Sequence, residues 1–178
     1  MDIRIKTDIV SEPVSLEEVR QFLKFDETSA DEDALILNMI YAARSYIEKH
    51  AGIAMGKKVF QVLFNYDEDL ILPITPVISV DKVETIDIEG TAIELTLNTD
   101  YYVRGLQKKE IVYSFGSAYQ LRVEFSAGYG DDDTETLPAD LRHALLTQVM
   151  QWYENRDDFH ELNIMGSVQR IIEMYNVL

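Results

Sequence analysis

The residues whose types could do chemistry lie late in the chain. Asp157, Asp158, His160 and Glu161 fall within five positions and are of the kind that binds a hard or borderline cation. Their spacing is not that of a known site, because no second histidine stands at i+4 to complete an H-E-x-x-H pattern. Asp131-Asp132-Asp133 with Glu135 resembles part of a calcium loop but lacks the EF-hand ligand order and its closing bidentate glutamate. Both runs read as solvated acidic loops, and the first turn of a helix after residue 135 favours negative charge. His50 and His143 are isolated from any acid or nucleophile in sequence, so no general base is assembled. No P-loop, G-x-G-x-x-G or G-x-S-x-G is present. Gly128-Tyr129-Gly130 is too short to cradle a phosphate and precedes three aspartates that would repel one. The sequence therefore predicts no enzyme, no metal and no cofactor. The one enzymatic alternative is a metal-dependent hydrolase built on Asp157, His160 and Glu161.

Composition narrows the classes further. The chain has 178 residues, 47% of them hydrophobic, enough to bury a core without cross-links. It has no cysteine, which excludes disulfides, thiol catalysis and cysteine-ligated zinc. Met1 to Glu12 alternates charge with Ile and Val and predicts no signal peptide, and no apolar run approaches the ~20 residues of a membrane span. Net charge is −16. It is spread unevenly, with 6 basic and 11 acidic groups in residues 1–56, 7 and 11 in 57–130, and 3 and 10 in 131–178. No segment carries the basic stripe that grips phosphates, which argues against tight or sequence-specific DNA binding.

The elements follow from periodicity. Residues 1–12 read as extended, with Ile3, Ile5, Ile9 and Val10 able to add a strand to a sheet, including a neighbour's. Ser15-Leu-Glu-Glu18 is a capping box, and Val14 with Val19 a hydrophobic staple, for a short helix over about 16–24. Asp31, Glu32 and Asp33 open a second helix whose apolar positions are Leu35, Ile36, Met39, Ile40, Ala43, Tyr46 and Ile47. Lys49 and His50 fall in its last turn and Gly52 stops it. From Lys57 the period becomes two. Val59, Gln61, Leu63 and Asn65 face one way, and Phe60, Val62, Phe64 and Tyr66 the other. Roughly six strands with turns between them predict a small antiparallel sheet. Pro73 and Pro76 mark an edge element.

A third helix starts at Pro138 and runs to Arg156, with stripes Leu141, Leu145, Val149, Trp152 and Leu146, Met150, Tyr153. Its apolar arc covers nearly half the circumference, more than a surface helix needs. Gly166-Ser167 opens the last helix, capped by Ser167, with Val168, Ile171, Ile172 and Tyr175 on one face. The fold class is α+β: helices from both chain ends pack together, with a small antiparallel sheet inserted. A single domain over 1–178 divides into N-terminal helices (1–56), a β insertion (57–127) and C-terminal helices (128–178). Trp152, Tyr153, Arg156, Ile171, Ile172 and Tyr175 are the candidate subunit or partner contacts.

Several ordered segments point to one family: Pro13-Val-Ser-Leu-Glu-Glu-Val-Arg-Gln-Phe-Leu23, Asp31-Glu-Asp-Ala-Leu35 through Ala42-Ala-Arg-Ser-Tyr-Ile-Glu48, Leu72-Pro-Ile-Thr-Pro-Val-Ile-Ser-Val80, Phe125-Ser-Ala-Gly-Tyr-Gly130, Leu137-Pro138 and Trp152-Tyr-Glu-Asn-Arg156. As a set they resemble the tailed-bacteriophage head–tail connector proteins, also called head-completion or adaptor proteins, in their longer form with a β insertion. The ending differs, since Asn176-Val-Leu178 replaces the family's basic finish. The resemblance implies a structural virion protein, in a bacterial host's cytoplasm before assembly and then in the virion neck. It implies a ring of identical subunits, twelve in number, beneath the portal protein and above a downstream neck or tail protein. DNA would pass through without specific binding, and no membrane is involved. A neck stopper or tail-completion protein of the same virion is the interaction-protein alternative.

Overall fold

The computed structural model describes residues 1–24, 30–65, 68–113, 119–130, 136–156 and 164–176. The chain forms two compact units: Met1–Ile9 with Gly56–Thr134, and Val10–Met55 with Glu135–Leu178. The first is built on sheet and the second is helical.

In the sheet unit the strands are β1 (Asp2–Thr7), β2 (Lys58–Asn65), β3 (Val77–Ile86), β4 (Ala92–Glu94), β5 (Tyr102–Arg104), β6 (Glu110–Val112) and β7 (Gln120–Ala127). Five of them make one antiparallel sheet in the order β1-β2-β7-β3-β4, and β5-β6 make a separate hairpin. The expected α+β class with an antiparallel sheet is present, its strands divided between the five-stranded sheet and this hairpin. The last long strand, β7, inserts between β2 and β3, and no local pattern could announce that non-local pairing. The N-terminal segment pairs with β2 of its own chain, Ile3 opposite Val62 and Ile5 opposite Phe60.

Alternation sorts the two faces. Phe60, Val62 and Phe64 of β2 meet Phe125, Val123 and Leu121 of β7, all buried, and the Phe60 and Phe125 rings stack at 5.4 Å. The opposite face is a polar ladder. Lys6 Nζ lies 2.8 Å from Glu124, Gln61 Nε2 donates to Glu124 at 3.0 Å, and Glu84 takes Lys82 at 2.8 Å and Arg122 at 2.9 Å. Glu124 is held below the ordinary carboxylate range, chiefly by Lys6 against the opposing effect of burial. Glu84 is lowered in the same way, chiefly by Lys82.

The helical unit holds α1 (Leu16–Phe22), α2 (Ala30–Ala51), α3 (Ala139–Glu154) and α4 (Gly166–Asn176). Ser15 caps α1 by accepting from the Glu18 amide at 3.1 Å, and Val14 and Val19 are both buried. The Glu18 carboxylate, expected to return to Ser15, goes instead to Arg142 of α3 at 2.8 Å. An exposed carboxylate gains more from a guanidinium fork than from a cap amide.

Ile36, Ile40, Ala43 and Ile47 form the buried stripe of α2, while Leu35 lies off that stripe and is exposed. Gly52 ends α2 with φ 67°, a conformation suited to glycine. Pro138 stands at the N-cap of α3 rather than inside its first turn, and Asn155 ends the helix one residue short of Arg156. The last helix begins at Gly166, so Ser167 sits within its first turn and does not cap it.

Candidate interaction site

None of the histidines joins an acid–base pair among the described residues. His50 is exposed and stacks on Tyr46 at 4.2 Å. His143 is exposed, edge-on to Phe22, with Thr147 Oγ1 at 3.4 Å from Nε2. The acidic candidates Asp131, Asp132, Asp133, Glu135, Asp157, Asp158, His160 and Glu161 lie outside the described residues. Among the described residues, no group of three or more metal-ligating side chains is arranged to hold an ion.

The six contact candidates do not form one patch. Tyr153 donates from its hydroxyl to Glu32 of α2 at 2.7 Å. Arg156 lies over the Tyr153 ring at 4.7 Å and pairs with the same glutamate at 3.3 Å. Burial, with Glu32 as the next cause, pushes the Tyr153 phenol up. Trp152 beside them is half-buried.

At the other end of α3, the Tyr175 hydroxyl donates to Asp140 at 3.0 Å. Asp140 and Tyr153 are separated by about 20 Å of helix at a rise of ~1.5 Å per residue. The α4 helix runs back along α3, its start held where Gln148 Oε1 accepts from the Met165 amide at 3.1 Å. Ile172 is only 2% exposed and is spent on the interior of its own unit, whereas Ile171 stays half-buried.

The feature that the periodicity missed is a buried charge cluster. Arg44 is 2% exposed. Its Nε lies 2.7 Å from Glu12 and its Nη1 2.9 Å from Glu48, which also accepts the Met55 amide at 2.8 Å. The readable signal was a charged pair at i and i+4 beside Ile40, Ala43 and Ile47, on a face otherwise apolar. Buried charge is tolerated only where it is paired and hydrogen-bonded. This cluster fixes the entry segment before α1 and the turn after α2, and both lie in the helical unit.

What the geometry offers is therefore packing and contact surface, built from amphipathic helices with polar staples. A family model described as "Head completion protein" matches residues 12–176. The chain belongs to the head completion protein family. Its fold is shared by solved structures of modest sequence identity. The neck of an empty GTA particle computed with C6 symmetry matches at a TM-score of 0.75 and 23% identity, covering 98% of this chain and 95% of that one. A chain from the virion of a native gene transfer agent (GTA) particle matches at 0.74 and 22%, over 98% and 95%. The neck of a native GTA particle computed with C12 symmetry matches at 0.72 and 22%, over 98% and 94%. A search of the curated proteins finds no match. No helix among the described residues of this head completion protein is long and apolar enough to cross a membrane.

Proposed function

We propose that this head completion protein is one subunit of a closed ring of twelve copies, seated beneath the portal, that extends the DNA channel and joins head to tail. The observation that carries the proposal is the family match over residues 12–176. The rotational symmetry of the necks in which similar folds were solved supports the ring. A ring of identical subunits needs heterologous contacts, one patch on each copy meeting a different patch on the next. The half-exposed Trp152, Tyr153, Ile171 and Tyr175, with exposed Arg156, supply contact area on the helical unit.

The role requires no bond to be made or broken, so the protein acts as a building block and not as an enzyme. The charge of −16 suits a channel lining, because carboxylates let a polyanion slide without sticking. The partners are then further copies, the portal above and the next neck or tail protein below.

Imaging of the protein mixed with its portal tests this. The expected result is a ring of density with twelvefold symmetry on the portal's outward end. Binding as a single copy, or binding only to a tail-tube protein, overturns it.

A further inference from the structure

The sheet unit carries a second surface that the helical contacts leave unexplained. Residues 104–109, Arg-Gly-Leu-Gln-Lys-Lys, hold three positive charges and no negative one in a chain of net −16. Arg104 ends β5 and is paired with Glu110 of β6 at 2.8 Å, residues 105–109 form the turn between the two strands, and Arg104 to Lys108 are all exposed. Leu106 at the turn is 91% exposed. Cross-strand partners Tyr102 and Val112 are both exposed and share a face of the hairpin with the Arg104–Glu110 pair. Tyrosine, arginine and leucine around a small apolar centre are what a protein–protein contact is made of.

The turn is also braced. Gly105 has φ 101°, and a Cβ there would lie 2.1 Å from the Lys108 carbonyl oxygen. The Gln107 and Lys109 carbonyls accept from the amides of Val77 and Leu72 at 3.2 and 2.9 Å. Lys109 Nζ donates to the Ile78 carbonyl at 3.2 Å. A loop already held in shape loses little entropy on docking.

The same unit presents the complementary surface. The β3–β4 turn, β4 itself and the residues just beyond it expose Ile88 (86%), Ile93 and Leu97 beside the exposed carboxylates of Glu89 and Glu94. β4 is an edge strand with every residue exposed. Within the copy Arg104 is met by Glu110, Lys109 by the Ile78 carbonyl and Glu94 by Lys82 at 3.5 Å, which leaves exposed Lys108 beside Leu106 on one patch and exposed Glu89 beside Ile88 on the other.

We infer that the β5–β6 turn of one copy docks on the β3–β4 region of the next, making a head-to-tail contact between sheet units, with Leu106 entering among Ile88 and Ile93 and Lys108 facing Glu89. Two chains of charge −16 repel each other, so their contact belongs where one of them is locally positive. DNA is the less suitable occupant, since a phosphate backbone does nothing for an exposed leucine. The inference rests on the ring reading and adds to it which surfaces of the sheet unit meet.

The absence of cysteine makes the test clean. In assembled particles, the double variant Leu106→Cys with Ile93→Cys is treated with a bismaleimide of about 10 Å span. The expected product is a ladder of covalently linked copies, with either single variant giving at least tenfold less. In parallel, Lys108→Glu is expected to lower the yield of completed particles about tenfold, and adding Glu89→Lys to restore it to within about twofold. A ring seen by imaging with no ladder and no effect of Lys108→Glu overturns the inference and leaves the ring standing. Leu106→Cys linking to a cysteine of a different protein also overturns it. Particles whose necks hold no ring of this chain overturn the ring reading itself.

Discussion

Arg44 Nε lies 2.7 Å from the Glu12 carboxylate, 32 residues earlier in the chain. This contact pins the segment before α1 to the middle of α2, and Glu48 completes it from the next turn. Removing the arginine leaves two carboxylates without their cation, one of them largely buried. Arg44→Met is therefore expected to destabilise the helical unit by about 3 kcal/mol. Glu12→Gln, which keeps an acceptor at a partly exposed position, is expected to cost about 1 kcal/mol. Urea unfolding followed by Trp152 fluorescence checks both, because the single tryptophan lies on α3 of the same unit. Equal effects of the two variants would contradict this account.

Two glycines with similar backbone signs should respond very differently to alanine. Gly128 has φ 127°, and a Cβ there would lie 2.1 Å from the Gly56 carbonyl oxygen, a backbone atom that cannot swing away. Gly90 has φ 86° with nothing within 4 Å of its would-be Cβ. Gly90→Ala meets only the left-handed penalty, about 1 kcal/mol. Gly128→Ala adds a clash at the junction of β2 and β7 and is expected to cost at least ~3 kcal/mol. Amide hydrogen exchange along β7 reads the difference, with protection kept in the first variant and lost in the second.

The helices and the β-rich middle were legible because each rests on a local period. The Ser15 cap, the Gly52 stop and the alternation of Phe60, Val62 and Phe64 are all short-range signals. The strand order was not legible, because placing β7 between β2 and β3 depends on pairings more than 30 residues apart. The contact candidates suffered in the same way. Helical spacing put Ile171, Ile172 and Tyr175 on one face, but only the packing of α4 shows that Ile172 turns inward and that Tyr175 is tied to Asp140. Exposed Leu106 could not be separated from a core leucine by type, since a single apolar residue in a turn has no period to belong to.

Gln148 offers a test of how α4 is held. It is fully buried on α3, accepts from the Met165 amide at 3.1 Å, and donates to Gln151 at 3.2 Å. Leucine fits the same space but leaves that amide unpaired just before α4 begins. Gln148→Leu is expected to destabilise the unit by about 1–2 kcal/mol. It should also raise hydrogen exchange in the first turn of α4 at least tenfold while leaving α1 unchanged. A uniform change across all four helices would show a global effect in place of a lost anchor.

The polar face of the sheet sets a pH window. Glu124 and Glu84 both titrate below the ordinary glutamate value, because Lys6 and Lys82 respectively favour their charged forms more than burial opposes them. A carboxyl whose folded pKa is depressed contributes stability that is complete above its unfolded value, about 4.3, and is lost as pH falls through the folded value. Lys82 has the opposite sense. Its pKa is raised, chiefly by Glu84, so its contribution is complete below the ordinary lysine value and fades as pH rises past it. Sheet stability from these groups should be flat between about pH 5 and 10 and fall on either side. Both carboxylates are mostly shielded from solvent, with side chains 17% and 13% exposed, which keeps the effect above that of a surface pair. Glu124→Gln is expected to remove about 1 kcal/mol near neutral pH and to reduce the decline below pH 4, as measured by exchange of the β7 amides. If the variant and the parent lose protection with the same slope on acidification, the Lys6–Glu124 bond does not govern the acid limb.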